Sequence, residues 1–396
     1  MHVSGSVLSS RPTRTSRRSD VHNKSDRSPV PLLCTIDQTA GNGGIARVST
    51  LVWEVMRRIS ADRCRMLTLF GPSAQAATYS DKVRFSARLA LVQVQRHFNW
   101  MFFDHVFLAA IQPLVPRCYR IPYAVFLHSV EVWNEVSPLR LRALQGATVL
   151  IANSEFTAGR VRAVHPTLGP IHVCHLALLR QTLTAPPGGG SIDTELVQRI
   201  RTNSAAVVGR ISSVERHKGH LQLIRSWPAV RQHVPDAQLV VVGKGDDVPH
   251  LKNEARNAGC EDAVLFTGWV SESTLAAIYD RVALYAMPSD GEGFGLVFLE
   301  AMEHRLPCIA STTDASREIV ADGKTGFLVN QNDQDALAGR VVQLLQNPAL
   351  RLRFGEAGFR RLSECFSFGL FQQRLTSALE PLSHARTVPE RRSLTQ

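Results

Sequence analysis

The stretch Met287-Pro288-Ser289-Asp290-Gly291-Glu292-Gly293-Phe294-Gly295-Leu296-Val297-Phe298-Leu299-Glu300-Ala301 decides how the rest of the chain is read. The apolar run from Val282 to Met287 ahead of it has the character of a strand. Pro288-Ser289-Asp290 is a polar turn, and Gly291, Gly293 and Gly295 bracket one carboxylate, Glu292. A second apolar run then carries a second carboxylate, Glu300. Strand, glycine loop and helix opening follow in that order. Small residues let a ligand come close to the backbone, and the first free N–H groups of a helix suit an anion such as phosphate. Glu292 in the loop and Glu300 further along the helix are two acceptors able to hold the hydroxyls of two different sugar rings. The competing reading is an αβ junction with surface glutamates.

A chain of 396 residues with 44% hydrophobic content suggests two ordinary domains with sizeable cores. Strands alternating with helical segments place it in the α/β class. No run is long and apolar enough to span a bilayer, and the N-terminus lacks the apolar segment of a secretory signal. Seven scattered cysteines without a C-x-x-C pair point to a reducing cytoplasm rather than a disulfide framework or zinc site. The net charge of +11 is unevenly shared: residues 29–180 carry 16 Arg/Lys against 8 Asp/Glu, while residues 181–381 carry 20 against 23. A basic first half suits an anionic partner, a membrane surface or nucleic acid. Surplus surface arginine explains the same number. No motif of stacking aromatics supports nucleic acid, so none is expected as partner.

In chain order, residues 1–28 form a Ser/Arg-rich tail, and an α/β domain occupies 29–180. Within it Pro31–Ile36 is a strand, followed by Gly41-Asn42-Gly43-Gly44 and a periodic helix with Val48, Leu51, Val52 and Val55. Lys82 through Trp100 mixes Arg84, Arg88 and Arg96 with Phe85, Leu89 and Val92, a basic amphipathic helix that lies on an anionic leaflet or simply on the core. Tyr123–Leu127 is a strand ending at His128, the position where open α/β sheets place ligands. Gln181-Thr-Leu-Thr-Ala-Pro-Pro-Gly-Gly-Gly-Ser191 opens an interdomain linker over 181–195. A second α/β domain covers 196–365, a last helix 366–381, and a tail 382–396. Gly209-Arg210 ends the first strand of the second domain, and Lys218-Gly219 opens its first helix, a pair suited to clamping a diphosphate.

Seven residues separate Glu292 from Glu300. With the flanking Gly-Phe-Gly and Glu-Ala, this resembles the E-x7-E signature of the retaining glycosyltransferases of family 4, which have the two-domain GT-B fold. The segments His128-Ser-Val-Glu-Val-Trp133, Ala152-Asn-Ser-Glu-Phe-Thr157, Gly209-Arg210 with Lys218-Gly219, and Val264–Val270 resemble that family in the same order. The resemblance covers roughly residues 30–380. It implies two Rossmann-like α/β/α domains facing a cleft, with the last helix crossing back to the first. It implies a donor site of Gly43, Gly44, Arg210, Lys218, Gly268, Glu292, Gly293, Phe294, Gly295 and Glu300. In it Glu292 meets the transferred sugar, Glu300 the ribose, and Arg210 and Lys218 the phosphates, while His128 orients the sugar. The implied reaction moves a hexose from a nucleotide-diphosphate sugar, GDP-mannose or a UDP-sugar, to a glycan or polyprenol-linked acceptor with retention. No metal and no cofactor besides the donor are expected, since no D-x-D stands in a suitable context. The setting implied is cytoplasmic, peripheral on the inner face of the cytoplasmic membrane. A nucleotide-sugar epimerase on the same fold and a non-catalytic sugar-nucleotide binder are the alternatives. Two positions depart from the family pattern: Arg305 stands where a glycine usually ends the Glu300 helix, and Asp314-Ala315 where a Gly pair precedes Glu318.

Overall fold

The computed structural model describes residues 30–36, 44–69, 78–179, 191–202, 204–208 and 217–383. The tail 1–28, Gly43, Arg210, residues 181–190 of the linker and all but the start of the C-terminal tail lie outside them. Among the described residues twelve strands form two wholly parallel sheets. The first contains β1 (Pro31–Thr35), β2 (Arg65–Thr68), β3 (Trp100–Phe103), β4 (Tyr123–Leu127), β5 (Val149–Ala152) and β6 (Ile171–Val173), in the order β2-β1-β3-β4-β5-β6. The second contains β7 (Ser204–Val208), β8 (Gln238–Val242), β9 (Val264–Gly268), β10 (Leu284–Ala286), β11 (Cys308–Ser311) and β12 (Gly326–Val329), in the order β12-β11-β10-β7-β8-β9.

Unbroken apolar strands such as Tyr123–Leu127 follow from burial on both faces. In β3 the alternation is visible. Trp100 and Phe102 join the cluster built on Val48, Val52 and Val55 of the Gly44–Ile59 helix, whereas Met101 and Phe103 join Phe85 and Leu89 of the Tyr79–Gln95 helix. The C-terminal helix Phe368–Ser383 leaves the second unit and packs on the first. Cys174 Sγ donates to the Phe371 carbonyl at 3.7 Å, Arg58 donates to Gln372 at 3.0 Å, and the Arg58 guanidinium lies 4.7 Å from the Phe368 ring centre.

Several expectations need correction. Trp100 belongs to β3, fully buried, and not to the basic helix, which ends at Gln95. After β11 the chain forms the short helix Ser316–Ile319, because Asp314 and Ser316 hydrogen-bond locally and turn the chain. A helix, Thr194–Gln198 with Asp193 as its N-cap, starts inside the stretch read as linker. Arg305 takes the left-handed conformation itself, at φ 54°. Its guanidinium sits 4.0 Å over the Phe359 ring and 2.9 Å from Glu356, and its carbonyl occupies the space where Gly355 has no side chain.

In each sheet the strand order reverses once, between β1 and β3 and between β7 and β10. The crevice beyond the carboxyl ends of strands at such a reversal is where open α/β sheets take ligands. The carboxyl ends of β1, β7 and β10 all stand there.

Candidate functional site

The second sheet supplies one wall. The chain after β7 returns at His217-Lys218-Gly219 to open the His220–His233 helix, and the chain after β10 runs through Pro288–Gly295 to the Leu296–Glu303 helix. The two loops are locked together. Asp290 N–H donates to the His217 carbonyl at 2.7 Å, and a Cβ on Gly219 would stand 2.5 Å from the Pro288 carbonyl oxygen. Gly219 also has φ 83°, so only glycine satisfies both demands. Gly295, at φ 98°, makes the same kind of turn into the Leu296–Glu303 helix.

Beneath this wall lies Asp314, fully buried. Its Oδ2 accepts from the Ser289 hydroxyl and from the N–H groups of Gly291 (3.3 Å) and Glu292 (3.0 Å). Its Oδ1 accepts from Ser316 N–H and Oγ–H, at 2.9 and 2.6 Å. The departure from a Gly pair is thus a carboxylate that fixes the loop carrying Glu292. Lys218 Nζ lies 3.4 Å from Glu292 Oε2, with both side chains largely buried. Glu300 receives the hydroxyl of Tyr279 at 3.2 Å from its own unit and the guanidinium of Arg47 from the other. Arg47 stands in the first turn of the Gly44–Ile59 helix, so this ion pair crosses the cleft.

The first sheet supplies the facing wall. The His128 backbone N–H is held by Glu131 at 2.6 Å, and its ring Nε2 is bonded to the Asp104 carbonyl. A carbonyl only accepts, so Nε2 carries the proton and Nδ1 is left as an acceptor. The two walls touch at Gly293. Its carbonyl accepts from Ser154 Oγ at 2.7 Å and Thr157 Oγ1 at 3.3 Å, and a Cβ there would fall 2.2 Å from the His128 carbonyl oxygen. Asn153 Nδ2 donates to that same His128 carbonyl at 2.8 Å. The Ala152–Thr157 segment therefore serves as a cradle for the loop of the opposite unit.

A second bridge lies at Glu318. It accepts from the N–H groups of Glu155 (3.0 Å) and Phe156 (2.7 Å), the first turn of the Glu155–Val164 helix, and from His175 Nε2 at 2.7 Å. Burial alone would raise its carboxyl, but the bonds from His175 and the two backbone donors outweigh this and hold it below the usual glutamate range. Asp104 behaves oppositely. Burial pushes it up to about 6 although the Ser49 hydroxyl donates to it. Burial also depresses His220 to about 4, with Lys218 adding to the effect.

Lys218, Glu292, Gly293 and Gly295 thus share one loop junction, with His128 against it and Glu300 on the adjoining helix. Gly44 and Gly268 border open space, since a Cβ at either would meet nothing within 4 Å. Phe294 departs from its expected place. Its ring is 2% exposed and packs 5.9 Å from both His175 and Phe366, so no ring face remains for a ligand. The aromatic cluster drew it inward because Phe366 arrives from distant sequence. Sequence reasoning assigned no role to Arg47, Tyr279, Asp314 or Glu318. Of these, only Asp314 carried a signal, as a break in a pattern. Among the described residues no three His, Cys, Asp or Glu side chains cluster as metal ligands.

Residues 194–361 match the family model described as glycosyl transferases group 1. The GDP-mannose-dependent alpha-(1-6)-phosphatidylinositol monomannoside mannosyltransferase of Mycolicibacterium smegmatis is 30% identical over 274 residues, which are 63% of this chain and 68% of that protein. The alpha-maltose-1-phosphate synthase of Mycobacterium tuberculosis is 30% identical over 330 residues, 76% of this chain and 82% of that protein. Among solved structures, Anabaena Alr3699/HepE in complex with UDP and glucose superposes with a TM-score of 0.69 at 18% identity, over 89% of this chain and 99% of that one. Sucrose-phosphate synthase from Thermosynechococcus elongatus gives 0.72 at 18%, over 90% and 100%. These likenesses show the fold, the two-unit GT-B arrangement.

Proposed function

We infer the reaction from the premise that this chain belongs to the glycosyl transferases group 1 family and is a glycosyltransferase. The proposal is transfer of a hexose from a nucleotide-diphosphate sugar, with retention and without a metal ion, to a lipid-linked acceptor. One observation carries the donor reading: the Lys218 and Glu292 loops meet at the strand-order reversal of the second sheet, directly against the His128 loop of the first. Donor chemistry is thereby gathered from both units at one junction.

In this reading Glu300 receives the ribose hydroxyls and Glu292 those of the sugar. Lys218, with Arg210 from outside the described residues, faces the diphosphate together with N–H groups of the glycine loop. Gly43 and Gly44 leave the first unit's backbone close to the donor, and Gly268 leaves room at the base. His128 Nδ1, the free acceptor of that ring, takes a sugar hydroxyl. Charge that builds on the departing diphosphate is stabilised by fixed cations, and removal of one such group typically costs about 10²–10³ in rate. In this reading the leaving phosphate itself takes the acceptor proton.

GDP-mannose is the donor favoured here, because the mycobacterial relative at 30% identity uses it on a phosphatidylinositol mannoside. The transferases among the relatives argue against an epimerase or a binding protein. A lipid acceptor and the basic first unit both support a location at the anionic inner face of the cytoplasmic membrane.

The test is release of nucleoside diphosphate and transfer of labelled sugar from GDP-mannose, UDP-glucose and UDP-N-acetylglucosamine to a lipid extract, with and without EDTA. Product anomeric configuration is read by NMR. Arg210→Ala and Lys218→Ala each lose at least a hundredfold in turnover while melting normally. Near-normal transfer in both variants sinks the donor site, inverted product sinks retention, and activity abolished by EDTA sinks metal independence.

A further inference from the structure

The Tyr79–Gln95 helix presents two apolar faces, and the active site uses neither. Phe85 and Leu89 turn into the core. Tyr79, Val83, Leu91 and Val94 face outward, Tyr79 at 82% exposure and the other three at half or more. Val83, Ala87, Leu91 and Val94 recur at intervals of four and three, a stripe along one side of the helix. Arg84 and Arg88 flank it. Leu114 (67% exposed) and Tyr119 extend the same region, which Arg96 ties to the helix by donating to the Cys118 carbonyl. Six of the eleven exposed large hydrophobic side chains among the described residues fall between 79 and 119.

Beside the stripe a groove of about 190 Å³ opens between this helix and the segment 107–114. Leu69, Phe85, Leu108, Ile111, Leu114 and Leu139 make its walls. Phe107 lines it too, and two cations stand over that single ring, Lys82 Nζ at 5.5 Å and the Arg140 guanidinium at 5.6 Å. Neither is in an ion pair among the described residues, although a carboxylate would relieve two like charges sharing one ring. An apolar channel with an unanswered pair of cations at its ring is complementary to an amphiphile bearing one anionic group and a hydrocarbon chain.

We propose that this face docks on the bilayer through an anionic phospholipid, whose phosphate lies between Lys82 and Arg140 and whose acyl chain enters the groove. The proposal rests on the membrane placement given above and sharpens it from adsorption to occupancy by a single lipid. Tyr79, Val83, Leu91 and Val94 then reach the interface around that lipid, and Arg84 and Arg88 meet neighbouring headgroups.

Three measurements on the full chain separate the layers of the argument. Co-sedimentation with phosphatidylcholine vesicles, with and without phosphatidylglycerol, reads membrane placement. Binding of monomeric dihexanoyl-phosphatidylglycerol against glycerophosphoglycerol, followed by calorimetry, reads the groove. The expected results are sedimentation only with the anionic vesicles, and at least tenfold tighter binding of the acylated compound. Ser86→Trp, which fills the groove, abolishes the second result, and Lys82→Glu weakens both at least tenfold. Leu114→Asp, at an exposed position that folding does not need, weakens both as well. Unchanged thermal stabilisation by nucleoside diphosphate confirms that each variant is folded. Sedimentation that Ser86→Trp and Leu114→Asp leave intact, with no preference for the acylated monomer, overturns the groove while sparing membrane placement. Equal sedimentation with both vesicle types overturns both. Binding of a prenyl phosphate without binding of dihexanoyl-phosphatidylglycerol reassigns the groove and overturns the phospholipid occupant.

Discussion

Replacing Gly293 by alanine tests whether the two units must meet at one backbone contact. The added Cβ would stand 2.2 Å from the His128 carbonyl oxygen and 2.7 Å from Ser129 Cβ. Carbon and oxygen settle at roughly 3.5 Å, so the loop must retreat by about 1 Å, and no rotamer change relieves a clash with main chain. That retreat stretches the Ser154 bond to the Gly293 carbonyl from 2.7 Å past the hydrogen-bonding range. Thr157 keeps the His128 carbonyl as a second acceptor at 3.2 Å and Ser154 keeps Asn153 Oδ1 at 3.3 Å, so the cost is a lost bond at the Gly293 carbonyl rather than an unmet hydroxyl. Overpacking of this kind costs about 1–3 kcal/mol, and the weakened buried bond adds about 1 kcal/mol. A loss of about 2–4 kcal/mol lowers the melting temperature by roughly 5–10 °C. Activity should fall further than stability, because a 1 Å misplacement near reacting groups costs about a hundredfold. Calorimetric melting and donor turnover, measured on one preparation, read both effects. Adding Ser129→Gly should not rescue the variant, since the tighter clash is with His128. A Gly293→Ala protein that melts and turns over like the parent would refute the contact.

Three more outcomes follow from the charged groups. Asp314→Asn cannot accept from all five donors that converge on the carboxylate, so the loop bearing Glu292 loosens; donor KM rises at least tenfold, and melting drops by several degrees, as titration of donor and a thermal scan will show. Asp104 has its folded pKa raised from 3.8 to about 6, so its contribution is complete below pH 4 and is lost as pH climbs through 6. The loss is about 3 kcal/mol, and urea midpoints of Asp104→Asn should stay flat across that window while those of the parent decline. Glu318 is the reverse case, with a depressed pKa, so its stabilisation is present above the ordinary glutamate value and is lost as the solution is acidified below it. Glu318→Gln should cost about 2 kcal/mol at neutral pH and remove that acid-side decline, again read from urea midpoints.

What was legible in the chain was whatever repeats over short distances. Leu239–Val242 and Tyr123–Leu127 announce buried parallel strands, and Val48, Leu51, Val52 and Val55 announce a helix face, because period and composition are local. The spacing of Glu292 and Glu300 was legible for the same reason, and with Lys218-Gly219 it marked residues that the fold brings to one wall of the candidate site. The bridges between units were not. Arg47 reaches Glu300 across more than half the chain, and His175 reaches Glu318 only because both sheets are already assembled. Phe294 looked like part of a ligand loop, yet the aromatic cluster with His175 and Phe366 decided its direction. Arg305 shows a subtler limit. The missing glycine removes the residue that takes a left-handed turn most easily. Tertiary support from Phe359, Glu356 and Gly355 instead holds an arginine in it.

The cations of the cleft have a further consequence. Arg47 already answers Glu300, and Lys218 already stands against Glu292, before any nucleotide arrives. At Arg47 and Lys218 a diphosphate sugar bound as proposed meets cations that already have carboxylate partners. On the proposed roles its hydroxyls would take over the carboxylates while its phosphates take over the cations, which makes binding at these two pairs an exchange of partners. Ionic strength therefore acts on the resting pairs and on the bound complex alike. Donor affinity should vary with salt far less than a count of the cleft's positive residues implies.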